Sequence, residues 1–489
     1  MIKTDIEKQK EESLVKELVL EVGTVCATDF FETNVSVKLP DYQRPYVWNV
    51  EKLKQLLKDF KDHFFYDGDY NENAQPYYLG CVLLYQKSEE EFEIIDGQQR
   101  VTSLLILDYA CNDSKSYLAQ EKWNLEYSSM LSTAVIKHNF KYLSENVSLE
   151  IKNHLNDIFS KLVFTVIKTN SEDEAFTFFD SQNSRGVSLS AVDFLKSYHL
   201  RELKGNEDLQ RRFAKQWDSN NKGQFLTELF DFILWRSRSW KGKNLSFENK
   251  DAILKDFQKK TIKEQNNDII RLYPNVCNTL ANQLTYDSQL GLCVQPNILN
   301  LQSTASQYPF SIRQPIQKGV GFFLYTEKYF AVYNQLFTDK KNETFIKVYN
   351  KLITQNSYYL KMFFKLASVV YYDKFKDKKL QEFTLWMDYL LGSYRIYQRT
   401  IVTQTVIKIL RDNVQNLLDV IEMSYRPEDV FEFIRSITDK NHYDVDLTSD
   451  PVYGVRNNYK NANLSFYKKE ENSELIAKEK WIYEYIRKK

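Results

Sequence analysis

Ten residues, Glu93-Ile-Ile-Asp-Gly-Gln-Gln-Arg-Val-Thr102, place an apolar run, a turn glycine, a carboxylate, two amides and a guanidinium side by side. That set suits phosphate chemistry. The guanidinium of Arg100 can grip phosphate oxygens as a two-pronged fork, and Asp96 can hold Mg²⁺ or orient a water. The amides of Gln98 and Gln99 can read sugar or base edges. Two other stretches share the composition, Gln43-Arg44 and Asn183-Ser-Arg-Gly186. Any single Arg-Gly turn is more often a structural cap. Their recurrence in one chain favours a shared anion site.

The elements that must position these residues follow from local pattern. Phe92, Ile94 and Ile95 suit the end of a buried strand, and Gly97 permits a tight bend. Val101, Leu104, Leu105 and Leu107 recur with helical spacing, so a helix starts beside Arg100 and turns its unpaired N–H groups and partial positive charge toward it. Val35 to Leu39 alternates like a strand stopped by Pro40. Pro45 fixes its own φ and pushes Arg44 into an extended conformation, so Gln43 and Arg44 belong to a stiff loop. Val50, Leu53, Leu56, Leu57, Phe60 and Phe64 mark a helix ended near Asp67-Gly68.

Tyr78 to Tyr85 reads as a strand that pairs with Phe92 to Asp96 as a hairpin, and Leu162 to Lys168 as one more strand. Ser171-Glu-Asp-Glu174 and Ser190-Ala-Val-Asp193 have the spacing of capping boxes, with Arg185 between the two helices they open. From about Glu202 onward only helical periodicity is legible. The expected class is α+β: a terminal amphipathic helix over 1–20, a small mixed-sheet domain over 21–205 and a large all-α domain over 206–489.

A chain of 489 residues that is 43% hydrophobic can build two or three cores. Lys plus Arg and Asp plus Glu stand at 66 each, so no global positive field draws the protein onto nucleic acid and any such surface is a local patch. The five cysteines form no CxxC pair, which suggests reduced thiols in a cytoplasmic protein without disulfides or structural zinc. No run of 18 apolar residues free of charge is present, so no membrane is expected as a partner.

Four stretches together resemble a known family: Gln43-Arg-Pro-Tyr-Val-Trp48, Tyr77-Tyr-Leu-Gly-Cys-Val-Leu-Leu84, Ile94-Ile-Asp-Gly-Gln-Gln-Arg-Val-Thr-Ser-Leu104 and Asn183-Ser-Arg-Gly-Val-Ser-Leu-Ser-Ala-Val-Asp-Phe-Leu-Lys196. In order and spacing they resemble the N-terminal domain of GmrS-like and SspE-like proteins of bacterial antiphage and modification-dependent restriction systems, relatives of ParB and sulfiredoxin. The resemblance covers about residues 20–205, with a less distinctive echo at Phe310 to Ile316 and Gly321 to Phe323. It implies a ParB-like fold that binds and hydrolyses a nucleoside triphosphate with Mg²⁺ and recognises foreign or modified DNA. Carried over, Asp96, Gln98, Gln99 and Arg100 would be catalytic and Asp96 would hold the metal. Gln43, Arg44, Gly97, Thr102, Asn183, Ser184, Arg185 and Lys196 would line the nucleotide site.

Many relatives also carry an HNH nuclease, which needs clustered histidines on a metal. Of the five histidines, His63, His138, His154, His199 and His442, only the last lies in the C-terminal half. An HNH domain is therefore not expected here, and cutting falls to a nuclease partner protein. For direct DNA contact the best candidate is Trp235-Arg-Ser-Arg-Ser-Trp-Lys-Gly-Lys243, through Arg236, Arg238, Lys241 and Lys243, against the plainer reading of a helix-end loop. The leading expectation is a defence sensor that hydrolyses NTP and gates a nuclease, with a homo-oligomer also compatible. The competing readings are a non-catalytic DNA-binding adaptor and a ParB-like nuclease acting on DNA itself.

Overall fold

The computed structural model describes residues 20–488 apart from 33–34, 41–42, 113–117, 119–122, 128, 172–173, 176–177, 179–189, 204, 222–224, 265–268, 276–277, 280–281, 297–303, 340–342, 449 and 452–453. The helix expected over 1–19 lies outside the described residues. Leu20 and Glu21 already belong to a strand.

The chain divides into two units, one formed by 1–189 with 207–219 and the other by 190–206 with 220–489. The chain therefore passes between the units three times, at 189/190, 206/207 and 219/220, where a single boundary was read at 205. In the first unit the strands are β1 (Leu20–Cys26), β2 (Ser36–Lys38), β3 (Phe65–Tyr66), β4 (Asp69–Tyr70), β5 (Tyr77–Ser88), β6 (Glu91–Asp96), β7 (Trp123–Asn124) and β8 (Leu162–Thr169). The helices are α1 (Ala27–Phe31), α2 (Val50–Phe64), α3 (Gln98–Cys111), α4 (Met130–Asn146), α5 (Leu149–Asn153) and α6 (Leu155–Lys161). Six strands form a mixed sheet in the order β1-β8-β5-β6-β2-β7. β5 runs antiparallel to β6 and parallel to β8, as Tyr85↔Glu93 and Val82↔Val166 record.

Period-two alternation in β5 sorts its side chains between two cores. Val82 and Leu84 face the larger one, with Ile94, Leu53, Phe60, Phe64, Val101, Leu104 and Phe159. Leu83 faces the smaller, with Ile95, Ile167 and Ala175. Each fully buried Leu, Ile or Phe contributes about 1.5–3 kcal/mol, so the sheet is anchored from both sides. α2 shows how local signals set an element. Asn49 caps its start by accepting from the Lys52 N–H, and Leu53, Leu56, Phe60 and Phe64 form its buried stripe. Asp67 and Gly68, read as the helix end, instead turn the β3–β4 hairpin with φ of 50° and 92°. β1 was not legible as a strand because residues 20–24 are exposed. Its order comes from backbone pairing with β8.

The second unit contains α7 (Ala191–Arg201), and the chain then returns to the first unit as α8 (Glu207–Asn220). The capping box at Ser190 is formed, with Asp193 reaching back to the Ser190 N–H. α7 is buried along most of its length and packs on α9 (Lys250–Leu254) and α10 (Val320–Phe337), which explains why it groups with the helical body. His199 on α7 is buried, with its ring stacked 3.6 Å from that of Phe322. The remaining helices include α11 (Tyr358–Phe375), α12 (Leu380–Tyr397), α13 (Val455–Tyr467) and α14 (Lys478–Arg487). One departure from the all-α expectation is the hairpin of β9 (Asn282–Asp287) and β10 (Gly291–Pro296). Its apolar residues Leu284, Tyr286, Leu292 and Val294 are exposed, so no buried face announces it in the sequence.

Candidate functional site around Asp96 to Arg100

β6 ends at Asp96 and α3 begins at Gln98, with Gly97 between them at φ 94°. The bend requires glycine. A Cβ there would stand 2.9 Å from Val82 Cγ2 and 3.2 Å from the Cys81 carbonyl oxygen. Gly97 offers no side-chain cap, so the first N–H groups of α3 keep their positive end for another acceptor.

Arg100 sits in that first turn. Its guanidinium crosses to the neighbouring strand and donates to the Cys81 carbonyl. It lies over Gly80, whose φ of 105° accompanies a bulge in the β5–β8 pairing. Arg100 Nε is buried without a hydrogen-bond partner, a cost an acceptor would relieve. The Asp96 carboxylate has no hydrogen bond or ion pair to any described residue. Burial pushes the Cys81 thiol up, with Asp96 adding to the shift and Arg100 opposing it, so carboxylate, thiol and guanidinium share one neighbourhood.

The glutamines face another way. Gln99 Oε1 accepts from the Val47 and Trp48 N–H groups at 2.9 and 3.2 Å, and its Nε2 donates to the Pro45 carbonyl at 3.0 Å. Gln98 Nε2 donates to the Arg44 carbonyl at 3.2 Å, while its Oε1 accepts from the Tyr127 hydroxyl at 3.3 Å. Gln43 Nε2 in turn donates to the carbonyls of Ile94 and Ile95 at 2.8 and 2.6 Å. Amides expected to read a ligand thus bind loop 43–48 to the strand end and helix start. Tyr46 completes the clamp: fully buried, it meets Ser103 Oγ at 2.8 Å and accepts from Asn139 Nδ2 at 3.2 Å. Tyr46, Ser103, Tyr127 and Asn139 were not singled out from sequence, where only their polar character marked them.

The clamp holds Arg44 half-buried, its guanidinium with no hydrogen bond or ion pair to any described residue. The hollow beside Gln43, Pro45 and Tyr127 measures about 20 Å³, room for about one water. Thr102 points away from Arg100, as residues two apart on a helix must, and its hydroxyl meets Tyr127 at 2.8 Å. Lys196 is buried on α7 of the second unit. Asn183, Ser184 and Arg185 lie outside the described residues.

Of the four expected DNA contacts, Arg236 and Arg238 are turned inward. Arg236 makes a two-pronged pair with Glu248, and Arg238 pairs with Asp256 and donates to the carbonyls of Ile312 and Gln314. Trp235 and Trp240 are buried, so they have no face to offer a base. Lys241 and Lys243 are exposed; Lys243 is tied to the Arg411 and Asn413 carbonyls, and the Lys241 ammonium has no hydrogen bond or ion pair to any described residue. His442 stacks on Tyr397 with ring centroids 4.1 Å apart. Among the described residues no group of three or more His, Cys, Asp or Glu could hold a metal ion, and no helix is long and apolar enough to cross a membrane. A Mg²⁺ at Asp96 would therefore have one carboxylate and the phosphates as ligands, a pattern that ion accepts.

Residues 27–200 match the family described as GmrSD restriction endonuclease, N-terminal domain, and residues 209–450 match a family of unknown function, DUF7834. An uncharacterized protein of Methanocaldococcus jannaschii is 21% identical over 246 residues, covering 38% of this chain and 42% of the relative. The chain thus spans less than half of that relative's length. Strand, left-handed glycine and arginine-bearing helix all fall within the first matched segment, which fits a restriction-like defence system. Over residues 27–200 this chain is similar to the N-terminal domain of GmrSD restriction endonucleases.

Proposed function

We propose that the N-terminal unit binds and hydrolyses a nucleoside triphosphate, and that this activity lets the protein respond to foreign or modified DNA and gate a nuclease partner. The observation that carries the reading is Arg100. Its Nε is buried without a partner in the uncapped first turn of a helix, in the same neighbourhood as Asp96, whose side chain has no partner among the described residues. An arginine fork and helix N–H groups complement phosphate oxygens, and a single carboxylate suits Mg²⁺ held jointly with phosphates. The metal, when bound, would neutralise charge on the transferred phosphoryl group. Arg100 binds the anion, Asp96 holds the metal or orients the attacking water, and Arg44 supplies a second cation. Gln43, Gln98 and Gln99 are positioning residues that fix the loop bearing Arg44.

The test is a screen of the full chain for binding and phosphate release with ATP, GTP, CTP and UTP, with and without modified DNA. Asp96→Ala should abolish release while retaining much of the binding, and Arg100→Ala should weaken both. Wild-type hydrolysis by Asp96→Ala would sink the catalytic assignment. Salt-sensitive DNA binding without nucleotide affinity would favour the adaptor reading.

A further inference from the structure

α3 is apolar on more than one side. Val101, Leu104 and Leu107 face the sheet, whereas Thr102, Leu105, Ile106 and Tyr109 form a second stripe at i, i+3, i+4 and i+7. A helix with two apolar faces needs two partners. The second face meets β7 and α4 incompletely, and the gap is a cavity of about 440 Å³. That lies within the roughly 300–1,000 Å³ typical of small-molecule sites.

The lining gives the cavity a chemical bias. Tyr109, Trp123, Tyr127 and Phe140 supply aromatic walls suited to stacking on a flat ring. The Trp123 indole N–H is already given to the Phe31 carbonyl at 2.9 Å, so this ring acts as an apolar surface. Thr102 and Tyr127, joined at 2.8 Å, set one polar point in an otherwise apolar wall. With the Tyr127 hydrogen on Gln98, the threonine hydrogen goes to Tyr127, and Thr102 Oγ retains lone pairs for a ligand N–H. Lys137 is the only charged residue among the described lining, and it is exposed with no ion pair to any described residue. Among the described lining a cationic ligand would find no carboxylate, whereas an anionic one would meet an ammonium.

We propose that this cavity is a second ligand site, separate from the Asp96 to Arg100 region, for a planar aromatic ring carrying an anionic group. It does not depend on nucleotide hydrolysis. Through Tyr127 the site touches Gln98 and hence the Arg44 loop.

The test uses the full chain and 1-anilinonaphthalene-8-sulfonate, with N-phenyl-1-naphthylamine as its uncharged counterpart, in fluorescence titrations. Saturable sulfonate binding should weaken by about tenfold or more in Leu105→Trp, which fills the cavity. It should weaken by about fivefold in Lys137→Glu, with the uncharged probe unaffected by that change. Lys137 is exposed, so Lys137→Glu keeps the test valid even if Leu105→Trp fails to fold. Displacement of the probe by AMP would identify nucleotides as the ligand class, and displacement by 1-naphthoate alone would identify aromatic acids. Sulfonate affinity unchanged in Lys137→Glu, or in a folded Leu105→Trp, would overturn the proposal.

Discussion

The guanidinium of Arg100 lies over Gly80, its Cζ 3.5 Å from the point where a Cβ of residue 80 would stand. A methyl group fits at that distance, but the φ of 105° strains any side chain. Gly80→Ala should therefore cost about 1–3 kcal/mol while leaving Arg100 on the Cys81 carbonyl. Gly80→Leu should add displacement of the guanidinium. Thermal unfolding of both variants, with nucleotide affinity as the second readout, checks this: the alanine variant keeps affinity once folded and the leucine variant loses it. Equal affinity in the two would show that Arg100 does not need its seat on Gly80.

Gln99 holds loop 45–48 through both ends of its amide. Gln99→Leu keeps the size and removes every bond, which should destabilise the N-terminal unit by about 1–3 kcal/mol. Gln99→Glu retains the acceptor toward Val47 and Trp48 and should cost roughly half as much. Hydrogen exchange at the Val47 and Trp48 amides gives the local measure. Protection that survives in Gln99→Leu would remove the clamp assignment.

The change from strand to helix across Gly97 was readable because it rests on signals within ten residues, a period of two giving way to 3.6 around a glycine. The start of α2 at Asn49 and the capping box at Ser190 are equally local. The loop partners of Gln98 and Gln99 were not readable, because they lie more than 50 residues upstream and depend on how the loop is laid over the helix. The same limit misled the reading of Arg236 and Arg238. A basic-aromatic run looks identical whether its charges meet DNA or are neutralised internally, here by Glu248 and Asp256. β1 was missed for the opposite reason, having little buried face to pattern its sequence.

His199 is held neutral. Its Nδ1 accepts from the Gly319 N–H at 3.3 Å, so Nε2 carries the hydrogen that goes to the Phe257 carbonyl at 2.8 Å. Burial lowers its pKa from 6.5 to about 3. The folded state thus refuses a proton that the unfolded chain accepts. The stability His199 contributes is complete above about pH 6.5 and is lost progressively as pH falls toward 3. Between pH 7.5 and 5.5 the wild type should lose about 1.4 kcal/mol that His199→Gln does not, measured by chemical denaturation at the two pH values. Equal losses would mean that His199 is protonated in the folded protein.

Lys478 at the start of α14 and Asp388 in the middle of α12 form an ion pair with neither side chain exposed. The Tyr459 hydroxyl from α13 approaches the same carboxylate at 2.9 Å, so three helices meet at one buried charge. Burial lowers the Lys478 pKa and Asp388 opposes that shift, as expected of a pair whose members depend on each other. Removing the cation alone leaves a carboxylate out of water without compensation. Lys478→Met should therefore cost about 3–5 kcal/mol. Lys478→Met combined with Asp388→Asn should recover most of the loss, because Asn replaces the charge with a neutral group that can still bond to Tyr459. Thermal unfolding of the two single variants and the double variant closes the cycle. A double variant no more stable than Lys478→Met would mean that the lysine acts by packing α14 onto α12, and that charge pairing is not what holds these helices together.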